Sequence, residues 1–441
     1  MLNRLIHFIT GKSDPASASP RLLFGRYSDN NKTVTKSNRW NDAEYLFKEK
    51  RYMDSIGAFF DYLRDDDQRN VHFSSRTENA DFEFFQGSKS IKGRIEKGVL
   101  TAEVKLARMP QPSVPVMRRL LEMNFGLYYS RFALDKDVLC MRFDTHIETA
   151  SPSKLYYGLK ELAVKSDKQD DLLVQDFSFL ETINEEHLED IPEEEKRVKY
   201  EAMQAWISET LEKIASVDAD KYSAGISHLL LGLVYRIDFL IAPEGRVMSD
   251  LEKIGGLYFD NADRLTTEKN RDMMNAFQQL KEKPQEEIFR NLFRSKYTFS
   301  IVVPQPHQAM AGVLDDATKN MLWYRDNNQE YFANKIMEYG LCYCQYSYSL
   351  PRPVTQFIEI FMQVNYPEYF KALGYNQLLF KPADNRFNQD LIVSRIRSIQ
   401  NQWRQKYPLM NFRTDLLVFT SLTRFNQSFL SQIELLNLNS E

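Results

Sequence analysis

Leu100-Thr101-Ala102-Glu103-Val104-Lys105-Leu106 decides the fold of the first half of this chain. Apolar and polar side chains alternate along it without a break. Successive side chains of a strand point to opposite faces, so a period of two means a strand with one face buried and one wet. The same alternation runs upstream. Ile91, Gly93 and Ile95 alternate with Lys92 and Arg94, and Phe82 and Phe84 alternate with Asp81 and Glu83. Lys97-Gly98 is a short turn between the last two segments and predicts an antiparallel hairpin. Three strands are therefore expected within residues 70–109.

Downstream, Pro110, Pro112 and Pro115 end the sheet pattern and lead into a helix. Val116, Met117, Leu120 and Leu121 are expected on its apolar face, and Gly126 suits its C-terminal end. Two more strands follow, with Ser130, Phe132 and Leu134 on one face of the first. Leu139, Met141, Phe143, Thr145 and Ile147 share a face of the second, after a turn at 135–137. Ser151-Pro152 then starts a helix, with Ser as cap and Pro at its first position. Leu155, Leu159 and Leu162 give that helix a buried side. Upstream of the strands, residues 41–64 carry helical spacing through Ala43, Leu46, Phe47, Ile56, Phe59, Phe60 and Leu63. This stretch resembles one tetratricopeptide hairpin, but a single copy has no neighbour to stack on, so a plain amphipathic helix is expected. The order is helix, three strands, helix, two strands, helix. It predicts an α+β domain whose antiparallel sheet buries one face under helices.

The run 181–195 holds eight acidic residues and no basic one. Such charges repel one another and favour a solvated link or an exposed helix. Beyond it the apolar spacing is helical almost throughout. Tyr222 to Ile241, Val247 to Phe259 and Lys269 to Leu280 carry it, as do Leu422, Phe425, Phe429, Ile433 and Leu436. Pro304/Pro306 and Pro351/Pro353 fit breaks between helices. The expected organisation is a flexible leader at 1–40, an α+β domain at 41–180, an acidic linker at 181–199 and an all-helical domain at 200–441.

Val116-Met-Arg-Arg-Leu-Leu-Glu-Met-Asn124, Tyr129-Ser-Arg-Phe-Ala-Leu134 and Val138-Leu-Cys-Met-Arg-Phe143, closed by the helix at 153–166, carry a resemblance. A helix ending near Asn, a strand pair around an acidic turn and a closing amphipathic helix resemble the type III secretion chaperone-like fold, and especially the YbjN-type proteins that share it. The resemblance covers about a third of the chain. It implies a cytoplasmic module that binds protein segments and often dimerises. Those chaperones are usually small and acidic, whereas the matching region here is near neutral and joined to a large helical part.

Composition excludes several classes. With 441 residues and 43% apolar content the chain can bury more than one core. Neither globular region carries the positive excess of a nucleic-acid binder; only residues 1–40 are basic, with seven basic and two acidic groups. The best apolar run, Leu229 to Ile241, is broken by Arg236 and Asp238 and reads as a buried helix, so no membrane span is expected. Three cysteines, Cys140, Cys342 and Cys344, argue against a disulfide scaffold and for reduced thiols in a cytoplasmic protein.

The six histidines, His7, His72, His146, His187, His228 and His307, are too dispersed for a helical metal-ligand pair. His228 reads as a core residue and His146 as part of a solvated face. Asp65-Asp66-Asp67 lacks the spacing and glycine of a calcium loop and reads as a polar loop. No phosphate-binding glycine loop and no nucleophile elbow occurs, so no catalytic residue, cofactor or metal is expected. Tyr339, Tyr343 and Tyr346 stand at helical spacing, so the cluster they form with Tyr348 reads as core, or alternatively as the lining of a peptide groove. The expected function is a protein-binding module, chaperone-like or adaptor, whose partner is another protein or a peptide segment, with homodimerisation allowed. The expected partner-binding residues are Tyr129, Arg131, Arg142 and Asp144, on the face of the strand pair opposite its apolar side. The alternative is an enzyme of unrecognised type with a site in the helical half or between domains.

Overall fold

Alternation does build the expected sheet in the computed structural model, which describes residues 20, 22–183, 188–260 and 263–439. The chain forms two compact units. One comprises residues 27–190 together with 293–303; the other comprises the segment up to Arg26, residues 191–292 and residues 304–441.

The α+β unit opens with two helices, α1 (Val34–Lys48) and α2 (Tyr52–Leu63). The single helix expected over 41–64 is thus a hairpin, broken where Lys50 adopts a left-handed backbone, and α1 starts at Val34. The sheet follows as β1 (Val71–Arg76), β2 (Asn79–Gln86), β3 (Lys89–Glu96) and β4 (Val99–Arg108). Next come α3 (Val114–Asn124), β5 (Arg131–Asp135), β6 (Val138–His146) and α4 (Pro152–Asp176). The strands lie in the order β1-β2-β3-β4-β6-β5, and β7 (Glu181–Thr182) pairs with the end of β4. All pairings are antiparallel. β1 is one strand more than the alternation predicts. It is an edge strand with a single fully buried side chain, Val71, so its sequence carries little apolar alternation.

Turn chemistry fixes the register. Lys97 and Gly98 both have positive φ in the two-residue loop joining Glu96 to its partner Val99, a conformation whose twist matches that of the flanking strands. Gly93 is required for another reason: a Cβ there would lie 2.1 Å from the Phe82 ring. Leu106 is an extra residue in the β4–β6 ladder, because the pairing shifts between Lys105 and Ala107. The bulge lets Leu106 and Ala107 both be buried although they are adjacent. Ser151 caps α4 by accepting the Lys154 N–H, with Pro152 at the first position. Leu155, Leu159, Leu162, Ala163 and Leu173 of α4 are buried with the apolar residues of β2, β3, β4 and β6.

Residues 293–303 complete this core from far along the sequence. Phe299 is fully buried, with its ring 5.8 Å from Phe84 and 5.4 Å from Tyr156. Its backbone is held by the buried Gln86 side chain, which accepts the Phe299 N–H at 2.9 Å and donates to the Phe299 carbonyl at 3.1 Å. Asn70 donates to the Tyr297 carbonyl at 3.2 Å. Of the acidic run 181–195, Glu181-Thr182 pair with β4 and Glu189-Asp190 pair with Phe293-Arg294. Glu193, Glu194 and Glu195 open the next helix, where carboxylates are favoured by the positive end of the helix dipole.

The helical unit contains α5 (Glu193–Ala215), α6 (Ser223–Leu240), α7 (Gly245–Phe259), α8 (Thr266–Lys281) and α9 (Gln285–Arg290). It continues with α10 (His307–Asp326), α11 (Glu330–Ser347), α12 (Arg352–Asn365), α13 (Pro367–Ala372), α14 (Gln389–Trp403) and α15 (Leu422–Glu434). The described remainder includes one small hairpin, Phe380-Lys381 with Arg386-Phe387. α6 is long and apolar enough to cross a membrane, yet 83% of it is buried within the unit, as befits a central core helix. Of the leader expected at 1–40, residues 1–19 and 21 lie outside the described residues. Phe24 is buried in the helical core 5.4 Å from the Phe370 ring, and Arg26 pairs with Asp238 at 3.0 Å.

Candidate binding surface

The four residues expected to bind a partner lie on or beside β5 and β6. Register places Arg131 directly opposite Arg142, and Glu103 of β4 opposite Arg142 on its other side. Two opposed arginines would repel one another. Carboxylates offset this: Arg131 pairs with Asp144, and Arg142 pairs with Glu103 and, at 3.5 Å, with Asp135. Arg131 and Asp144 are exposed and Arg142 is half-buried. Tyr129 precedes β5 and is exposed. Cys140, which alternates with Leu139 and Met141 along β6, is buried like them, donating weakly to the Ala133 carbonyl at 3.6 Å. Burial, with Glu103 nearby, pushes its thiol up to about 11. It is a core thiol and not a surface nucleophile.

The helix α3 carries a surface that the periodicity assigned differently. Leu121, expected on the buried side of α3, is 63% exposed, while Val116 and Leu120 are buried. Val114, Arg118, Leu121 and Phe125 follow at intervals of 4, 3 and 4 and so share one outward stripe. Val114 is 81% exposed, Phe125 is 93% exposed and Tyr128 in the following loop is 91% exposed. The loop is nonetheless held firmly. One carboxylate, Glu161 of α4, accepts the backbone N–H groups of Tyr128, Tyr129 and Ser130 at 2.8, 2.9 and 2.8 Å, and the Ser130 hydroxyl at 2.8 Å. Burial opposes the charge on Glu161, but these four donors outweigh it and hold the carboxyl below its ordinary range. Asn124 at the end of α3 accepts the Phe132 N–H at 2.8 Å, so it caps an outward donor of edge strand β5. Sequence periodicity could not find this stripe, because Leu121 neighbours a buried leucine and reads as its companion.

The helical unit holds a buried charge cluster. Arg236 and Glu338 are fully buried and paired, with Nε 2.5 Å from Oε1. The Tyr366 hydroxyl donates to Glu338 Oε2 at 2.5 Å, and Lys335 Nζ lies 3.1 Å from the same oxygen. Burial opposes charge on Glu338, yet Arg236 and Lys335 hold its carboxyl low; burial, with Arg236 beside it, lowers Lys335. The Arg236 guanidinium also faces the Tyr366 ring at 4.9 Å. These contacts pair a charge inside an apolar helix, while Arg236 Nη1 is buried without a hydrogen-bond partner. The tyrosine cluster is half-buried and packs against the helical core: Tyr235 lies 4.8 Å from Tyr346, Tyr339 stacks on Tyr343 at 5.8 Å, and Cys342 and Cys344 are fully buried. His228 packs its ring on Tyr339 at 4.9 Å, with Nδ1 buried and without a hydrogen-bond partner. His146 is exposed at the end of β6. His7 and His187 lie outside the described residues. Asp65 accepts the N–H groups of Asp67 and Gln68, and Asp66 pairs with Lys36, so the Asp65–Asp67 run is a polar turn. Among the described residues no three His, Cys, Asp or Glu side chains are grouped to hold a metal ion.

Compared with models of known families and with curated proteins, the chain matches none.

Proposed function

We propose that the α+β unit binds an amphipathic segment of another protein through the outward stripe of α3 and the loop after it, without catalysing a reaction of its own. One observation carries this reading: Val114, Leu121, Phe125 and Tyr128 place large apolar side chains in water, and Glu161 holds the backbone of the loop that carries Tyr128. Contiguous exposed apolar surface is characteristic of interaction sites, and aromatic residues are the usual anchors of binding energy. The charged face of β5 and β6, with Tyr129, Arg131, Arg142 and Asp144, is the polar rim that sets orientation. The element order from α3 to α4 supports a chaperone-like reading of the unit. Three free cysteines, all buried, suit a cytoplasmic setting.

The test is selection from a displayed library of amphipathic peptides against the purified chain, followed by affinities for Phe125→Asp and Tyr128→Asp. Selected peptides are expected to bind the variants at least about tenfold more weakly, while stability stays within about 0.5 kcal/mol, as for other surface changes. The Arg131→Ala/Arg142→Ala double variant is expected to weaken binding less. Peptides that bind the aspartate variants as well as the parent would move the site elsewhere. Sedimentation of the peptide-free protein separates the competing occupant, a second copy of the chain: a dimer dispersed by Phe125→Asp would assign the stripe to self-association.

A further inference from the structure

Three helices of the α+β unit bring four aromatic side chains to one recess. Trp40 comes from α1, Tyr62 from α2, and Tyr156 and Tyr157 from α4; Ser37 and Ser153 complete the lining of a cavity of about 380 Å³ open to solvent. The rings meet at steep angles. Trp40 and Tyr62 are 5.1 Å apart at 64°, Trp40 and Tyr156 6.0 Å apart at 86°, and Tyr156 and Tyr157 5.4 Å apart at 89°. Steeply inclined rings make the sides of a box, whereas a flat sugar or a proline ring is met by a platform or by parallel walls. A box suits a compact group presenting the same chemistry in every direction.

The electrostatics point the same way. Ring faces carry negative potential, strongest for indole, and attract cations within about 6 Å. Two of the rings already hold an ammonium group of the protein itself, Lys32 Nζ 5.4 Å from the Tyr62 centroid and Lys160 Nζ 5.7 Å from the Tyr156 centroid, so the attraction for a further cation rests mainly on Trp40 and Tyr157. Neither lysine lines the recess. Glu44 accepts the Trp40 indole N–H at 3.1 Å, which adds electron density to the indole and holds it in place. Tyr157 remains 58% exposed, a large aromatic surface with no internal use for its outer side.

We propose that this recess binds a methylated ammonium group, R–N(CH3)3+, entering end-on from solvent. The group is weakly hydrated, so its desolvation costs little, and its methyl groups spread the positive charge over all the surrounding rings. The site uses residues other than those of the α3 surface and does not depend on that surface binding anything.

The experiment titrates the full chain with choline, with N-acetyl-trimethyllysine amide, and with 3,3-dimethylbutan-1-ol, a neutral isostere of choline, by calorimetry and by indole fluorescence. Both cations are expected to bind, and the neutral isostere about tenfold more weakly, the difference a desolvated cation–ring contact supplies. The tighter of the two cations identifies the source, a free quaternary amine or a lysine side chain. Trp40→Leu is expected to abolish binding. Because Trp40 also packs on Phe59, the more exposed Tyr157→Leu provides a second variant, expected to weaken binding severalfold with an unchanged melting curve. Equal affinity for choline and its neutral isostere would overturn the proposal in favour of a merely apolar recess. Absence of binding at millimolar concentration, or unchanged affinity in Tyr157→Leu, would overturn it outright.

Discussion

Glu359 of α12 has its Oε1 buried without a hydrogen-bond partner, and its ion-pair contact, Arg352, is 3.7 Å away. Burial outweighs that arginine and pushes the carboxyl up to about 7. An unfolded glutamate titrates near 4.5. Between these values the folded state holds a proton that the unfolded state has lost. The contribution to stability is therefore fully present below about pH 4.5 and is lost as pH rises through about 7. Glu359→Gln keeps the shape and removes the ionisation. It is expected to stabilise the protein at pH 8 by on the order of 1 kcal/mol and to change little at pH 5. Denaturant unfolding at the two pH values measures this, and an equal effect at both would mean that Glu359 is not raised. His228 and His307 act with the opposite sign. Burial lowers both, so they favour folding above about 6.5 and withdraw that support as pH falls.

At the scale of elements, Glu161 joins α4 to the start of β5 by accepting three consecutive backbone N–H groups. The loop they belong to carries Tyr128 and Tyr129, so this carboxylate orders the candidate surface without being exposed on its apolar stripe. Glu161→Ala is expected to cost about 1–3 kcal/mol, the usual loss for hydrogen bonds to a charged group. Amide exchange is expected to rise at 128–130 while the β2–β3 ladder stays protected. Unchanged exchange in the loop would show that α3 and β5 hold it unaided. Because the carboxyl is held low, its stabilising contribution is present above about pH 4.5 and fades as pH falls below that. None of this was legible locally. Glu161 is separated from its partners by about thirty residues, and its spacing within α4 marks it only as polar.

Across the molecule, residues 293–303 leave a helical stretch of sequence to finish the core of the α+β unit. The device that holds them is polar: Gln86 and Asn70, both fully buried, satisfy the backbone at 297–299. Gln86→Leu would leave the Phe299 N–H and carbonyl buried without these partners. Each orphaned group costs about 1–3 kcal/mol, so a loss of about 3 kcal/mol is expected, with exchange at 298–299 accelerated first. Thermal or denaturant unfolding equal to that of the parent would show that the Phe299 ring alone anchors the segment.

What the sequence determined by itself was the outcome of local periodicity. Alternation at 82–106 and 132–143, turn residues at 97–98, and the Ser151-Pro152 start fixed the strands, a hairpin and a helix, because side-chain direction in a strand or helix follows from backbone geometry alone. The helical second half followed for the same reason. The tertiary structure decided everything that depends on residues distant in the chain. It placed Phe24 in one core and Phe299 in the other, buried Arg236 against Glu338, and turned Leu121 outward. It also brought Trp40, Tyr62 and Tyr156 together from three helices. An amphipathic pattern states that a side chain is apolar; whether that side chain meets a partner or water is set by which other elements arrive to cover it.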